Sequence, residues 1–194
     1  MTTPQDDFQT PSQFQEALES LRRARFQPEL SLSPIDAPQH LAPYGVGLGA
    51  GVADPDAPDQ DLALGRFILL FDPRAPETWG GEFRVVSYIR AAIEPDVAAE
   101  QLLSSVAWDW LVESLESKGA LHKQAGGTAT RAFSQGFGVL EDSGERNEIE
   151  LRASWTPTGP DMRRHLEAWA DMVCTYAGLP PLPEDVARFP VSGI

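Results

Sequence analysis

An α+β domain built on an antiparallel sheet is the fold this sequence predicts, and three observations carry the prediction. Alternating or densely apolar segments of strand length fall at 44–52, 62–71, 83–93, 127–137 and 148–156. Segments with apolar residues at helical spacing precede the first three strands, follow them, and recur near the end of the chain. The joins between successive strands are short and rich in Pro, Gly and Asp, which suits hairpins and not the long crossovers that parallel strands require. The element order is therefore α-β-β-β-α-β-β-α, with helices packed on an antiparallel sheet. No internal repeat interrupts it.

Each element has its own signal. Residues 1–9 carry no pattern and are expected to be disordered. Thr10 then reads as an N-cap, with Pro11 at the first helical position and Gln13 completing a capping box. Phe14, Leu18 and Leu21 form one apolar stripe, and Pro28 closes that helix. Pro34, Pro38 and Pro43 make residues 29–43 an extended segment expected to lie over the core. Pro95 opens a second helix that Gly119 stops. The last helix starts near Pro160-Asp161 and ends at Gly178, since Pro180 and Pro181 forbid its continuation. One domain over 10–183 with a tail at 184–194 is the simplest division of 194 residues.

Charge and cysteine usage narrow the partners. Lys+Arg is 15 against 29 Asp+Glu, a formal charge of −14. A field of that sign repels phosphate backbones and anionic lipid headgroups, so neither nucleic acid nor membrane is expected as a partner. The lone Cys174 permits no intrachain disulfide and no multi-thiolate zinc site. No apolar run approaches the roughly 20 residues that cross a bilayer. The first residues lack the apolar core of a signal peptide. A cytoplasmic location follows as the expectation.

Several motifs resemble sites and fail on detail. Gly45-Val46-Gly47-Leu48-Gly49-Ala50-Gly51 lacks the third glycine of a dinucleotide fingerprint at the required offset and runs into a turn where a helix should start. It reads instead as a strand with Tyr44, Val46, Leu48, Ala50 and Val52 on one face and a column of glycines on the other. A bare strand face admits another backbone, and one of the chain's own helices is the expected occupant. Asp54, Asp56, Asp59 and Asp61 lack the glycine and the terminal glutamate of a calcium loop. His165 and Cys174 stand nine residues apart, about 180° around a helix, and cannot meet. Cys174 is expected to be a buried structural thiol. No metal or cofactor is expected.

Two groups of residues remain as candidates. On the third long strand, alternation puts Arg84, Val86, Tyr88 and Arg90 on one side; on another it groups Glu148, Glu150, Arg152 and Ser154. Where those sides coincide, Arg84, Tyr88, Arg90 and Arg152 converge and can hold a small anion. The second helix is apolar over more than half its circumference, with Trp108 and Trp110 about 200° apart. Trp108, Leu111, Val112 and Leu115 are therefore the expected interface to another protein or to a second copy.

The element order is similar to that of the secretion-chaperone-like fold, in which helices pack on an antiparallel sheet and protomers pair. At residue level a closer resemblance exists. Leu41-Ala42-Pro43-Tyr44, Gly65-Arg66, Val106 to Leu111, Gly126 to Arg131, Arg152-Ala153-Ser154-Trp155-Thr156-Pro157 and Gly178 to Pro181 resemble an actinobacterial family catalogued as domain of unknown function 3000. The resemblance implies a single domain and carries over no catalytic residue. The functional expectation is a non-enzymatic, adaptor- or chaperone-like interaction domain; the alternative is a small-anion binder or enzyme using the arginine–tyrosine sheet face.

Overall fold

The computed structural model describes residues 10–57, 60–94, 103–180 and 189–190. Helix α1 spans Ser12–Arg22, and strands β1 Arg25–Phe26, β2 Leu30–Ile35, β3 Tyr44–Ala53, β4 Asp61–Phe71 and β5 Phe83–Ala92 follow. Then come α2 Leu103–Ser117, β6 His122–Gln135, a 3-10 turn Gly138–Ser143, β7 Glu145–Pro157, α3 Arg163–Tyr176 and β8 Phe189–Pro190. The fold is α+β and the main elements stand in the expected order. The expected start of the second helix at Pro95 lies outside the described residues, as does the segment 1–9.

Six strands form one antiparallel sheet in the order β2-β3-β4-β5-β7-β6. The prolyl segment after α1 is thus not draped over the core: Leu30–Ile35 is an edge strand on β3, where Pro34 costs no ladder bond on its outer side. Phe189–Pro190, in the expected C-terminal tail, pair with Arg25–Phe26. Helix α1 begins at Ser12 with Pro11 as the flanking residue, and Gln15, not Gln13, reaches back to the Thr10 carbonyl at 2.9 Å.

All three helices lie on one side of the sheet, over the inward positions of the strands. Leu48 and Ala50 of β3, Phe67, Leu69 and Phe71 of β4, Val85 and Ile89 of β5, and Leu151 and Trp155 of β7 are buried there. Helix α3 is the central one and is buried around most of its circumference. It reaches the sheet over Gly65 of β4, where a Cβ would sit 2.5 Å from the Trp169 ring. The glycine column of β3 faces the other way, which corrects the expectation that a helix occupies it. Apolar area decides the orientation: Tyr44, Val46, Leu48, Ala50 and Val52 bury far more than four glycines would. One end of the column is covered by the chain leaving β2, with the Ile35 carbonyl 2.7 Å from a Cβ built at Gly47.

Cys174 is 1% exposed on α3. A thiol so shielded stays inert. A chromogenic thiol reagent is expected to label it slowly in the native protein and rapidly in denaturant; fast stoichiometric labelling of the native protein would contradict this placement.

Candidate functional site

Among the described residues no helix covers the other side of the sheet, and this is where the basic residues gather. Register sets the arrangement: Val86 stands opposite Ser154, Tyr88 opposite Arg152, and Arg90 opposite Glu150. The two faces singled out from alternation therefore coincide. On the far side of β5, Tyr88 stands opposite Arg66 of β4. A groove of about 770 Å³ crosses this face over β4, β5, β7 and β6, lined by Arg66, Tyr88, Thr128, Arg152 and Ser154 with Ile68 and Val86 as its apolar floor. A second recess of about 400 Å³ continues toward β2, where Arg66, Tyr88 and Arg90 meet Ser31, Ser33 and the bare backbone of Gly49 and Gly51. Arg66 and Tyr88 line both.

The side chains are ordered by one another. The Arg152 guanidinium lies over the Tyr88 ring, 5.3 Å from its centre, and its Nη2 pairs with Glu150 Oε2 at 2.7 Å. Tyr88 Oη donates to Glu150 Oε1 at 3.0 Å. Burial, and then that bond to an anionic partner, push the Tyr88 hydroxyl above its ordinary range, so it stays a neutral donor. Arg90 stands 4.0 Å from Glu148, too long for a strong pair. Arg84 is pinned at the rim by neutral oxygens, with Nη2 donating to Ser154 Oγ at 2.6 Å and Nη1 to Thr156 Oγ1 and the Gln124 carbonyl at 3.0 Å. Burial without a carboxylate partner lowers its pKa. Arg66 is exposed and makes no hydrogen bond or ion pair with another described residue.

The four expected site residues thus share one face but not one pocket. Tyr88 and Arg152 line the main groove, Arg90 lines the neighbouring recess, and Arg84 lines neither and braces β5 to β7. Arg66 was missing from the expected set. The face holds four guanidinium groups against the carboxylates of Glu148, Glu150 and Asp61, the last lining the second recess, so it is locally positive by one charge on a chain of net charge −14.

The expected helix interface needs correction. Leu111 and Leu115 are each 1% exposed and pack into the core, and Val112 is half-buried. Trp108 is also partly buried: it lies over β6 at Gly127, where a Cβ would approach its ring to 2.9 Å. The glycine leaves a seat that a count of apolar residues around a helix cannot show. Trp110 is the exposed member of the pair, edge-on to Tyr176 with ring centres 6.4 Å apart.

Away from this face, one buried histidine is committed to structure. His165 is buried, and its Nδ1 accepts the Trp155 indole N–H at 3.1 Å. Among the described residues no group of three or more His, Cys, Asp or Glu is gathered to hold a metal, and no helix is long and apolar enough to cross a membrane.

A one-sided antiparallel sheet with an arginine–tyrosine groove on its bare face is the class of domain these elements define. Residues 10–187 match the family described as protein of unknown function (DUF3000), and the chain belongs to that family. No curated protein and no solved structure matches it.

Proposed function

We propose that this domain is a non-enzymatic recognition module whose bare sheet face binds a carboxylate- or phosphate-bearing ligand. The observation that carries the proposal is Arg66, an exposed guanidinium with no partner among the described residues, standing between two recesses. Guanidinium forks take carboxylates and phosphates in paired, charge-assisted hydrogen bonds. Arg152, across Tyr88 from Arg66 in the same groove, is held by Glu150 and the Tyr88 ring, so little side-chain freedom is lost when a ligand docks. Ile68 and Val86 offer an apolar floor for the rest of the ligand.

The test is calorimetric titration of inorganic phosphate and of citrate at low salt into the wild type and into Arg66→Gln. At least one anion should bind saturably, and the variant should bind it about tenfold or more weakly. Absence of saturable binding by either anion, or equal binding by Arg66→Gln, would remove the proposal.

A second reading, pairing with a protein partner, is favoured by one observation: Phe133, Phe137, Val139 and Leu140 are exposed together at the far end of the β6–β7 hairpin. The single buried cysteine supports action in a reducing, cytoplasmic compartment.

A further inference from the structure

The two edges of the sheet are built differently. Strand β2 is 6 residues long and carries Pro34, a usual defence against unwanted pairing. Strand β6 is 14 residues long, contains no proline and no carboxylate, and among the described residues pairs with β7 alone. Its one irregularity lies between Lys123 and Gly126, and from Gly126 to Gln135 Arg131 is the one charged side chain of the strand. Eight large apolar side chains are exposed among the described residues. Five of them belong to this edge: Leu121 just before β6, Phe133 within it, and Phe137, Val139 and Leu140 just after it. A long edge that no described strand pairs with, flanked by exposed apolar groups, is a pairing surface.

The strand carries both a knob and a seat. On its helix-covered side lie Gly127, opposite Ala153, and Phe133, opposite Asn147. Phe133 is 61% exposed. Gly127 has no side chain, and the Trp108 ring beside it is only partly buried. Residues directly opposite in an antiparallel pair point to the same side of the sheet.

We propose that a second copy of this chain pairs antiparallel along β6 about a two-fold axis at Thr130, joining two six-stranded sheets into one. That register sets Phe133 opposite the second copy's Gly127, against the second copy's Trp108, and the two-fold repeats the contact in reverse. The same register carries Val139 and Leu140 toward the second copy's Leu121. One axis therefore sets Phe133 against Gly127 and Trp108, and Val139 and Leu140 toward Leu121, of the same edge in the second copy, which is why the occupant is a copy and not a foreign strand. The paired stretch of β6 itself carries no carboxylate, so it brings no negative charge of its own to the ladder. The inference rests on the pairing reading above and is independent of anion binding.

Sedimentation velocity at tens of micromolar should show a dimer. Phe133→Asp should raise its dissociation constant roughly a hundredfold or more, since two buried phenyl groups are lost per dimer, with circular dichroism unchanged. A short bis-maleimide should link Thr130→Cys into a covalent dimer far faster than Ser33→Cys on the β2 edge; the buried Cys174 stays silent. Arg66→Gln should dimerise normally, and Phe133→Asp should bind anions as the wild type does, so the two proposals fail separately. A monomeric wild type, a dimer that survives Phe133→Asp, or linking at Ser33 as fast as at Thr130 would overturn the proposal.

Discussion

Gly65→Val is expected to cost about 3 kcal/mol or more of folding stability, the upper end of overpacking losses. Gly65 lies on the helix side of β4, and a single Cβ there would approach Trp169 Cζ2 to 2.5 Å and Val173 Cγ2 to 2.8 Å. Neither neighbour can yield: both are 0% exposed, and Trp169 is packed against Phe67 with ring centres 5.6 Å apart. The two further methyls of valine leave α3 no option but to lift off the sheet, and α3 is the helix that α1 and α2 pack around. The matching control is Gly126→Ala on the bare side, where an added Cβ meets nothing within 4 Å. That change should alter stability by no more than about 0.5 kcal/mol, the range of surface substitutions. Urea unfolding of both variants measures the contrast. Similar midpoints would mean that α3 does not rest on Gly65 and that the helices are not confined to that side.

The same contrast separates what the residues reveal by themselves from what only packing decides. Alternation in Phe83–Ala92 sorted Arg84, Tyr88 and Arg90 from Phe83, Val85 and Ile89 without ambiguity, because β5 is apolar on one side only. In β3 both sides looked ready for a helix, one by apolar area and one by bareness, and only packing showed that area prevails. Arg66 escaped because β4 is apolar on both sides; Ile68 and Leu70 share its face and are themselves buried. The interruption Gly65-Arg66 in an otherwise apolar run was the available signal, but its partner Tyr88 follows from the β4–β5 register, which a sequence does not print. Trp108 escaped for a related reason: its seat is made by a missing side chain, at Gly127, on the strand that follows its helix. The exposed apolar residues around the β6–β7 turn were in plain sight but masked by the acidic residues among them.

The last expectation concerns acid. His165 stands in the first turn of α3, is 3% exposed, and accepts the Trp155 N–H through Nδ1. Burial, and then repulsion from His122, push its pKa down to about 4, against a smaller opposing pull from Asp161. The positive end of the helix dipole disfavours a cation at the same place. In the unfolded chain the ring takes up a proton near its ordinary value of 6.5. Between about pH 6.5 and 4 the unfolded state therefore binds more protons than the folded one, and stability falls as pH falls. The contribution is intact above that window and fully lost below it, a total of about 3 kcal/mol. The structural reason is direct: a proton on Nδ1 would face the Trp155 N–H donor with a donor of its own. His165→Gln removes the titration while its side-chain oxygen can still accept that hydrogen bond. The variant should be less stable than wild type at pH 7.5, where the imidazole packs better, and the gap should close or reverse by pH 4.5. Urea midpoints measured for both proteins across this range would show it, and two curves that fall in parallel would mean that His165 takes no part in the acid response.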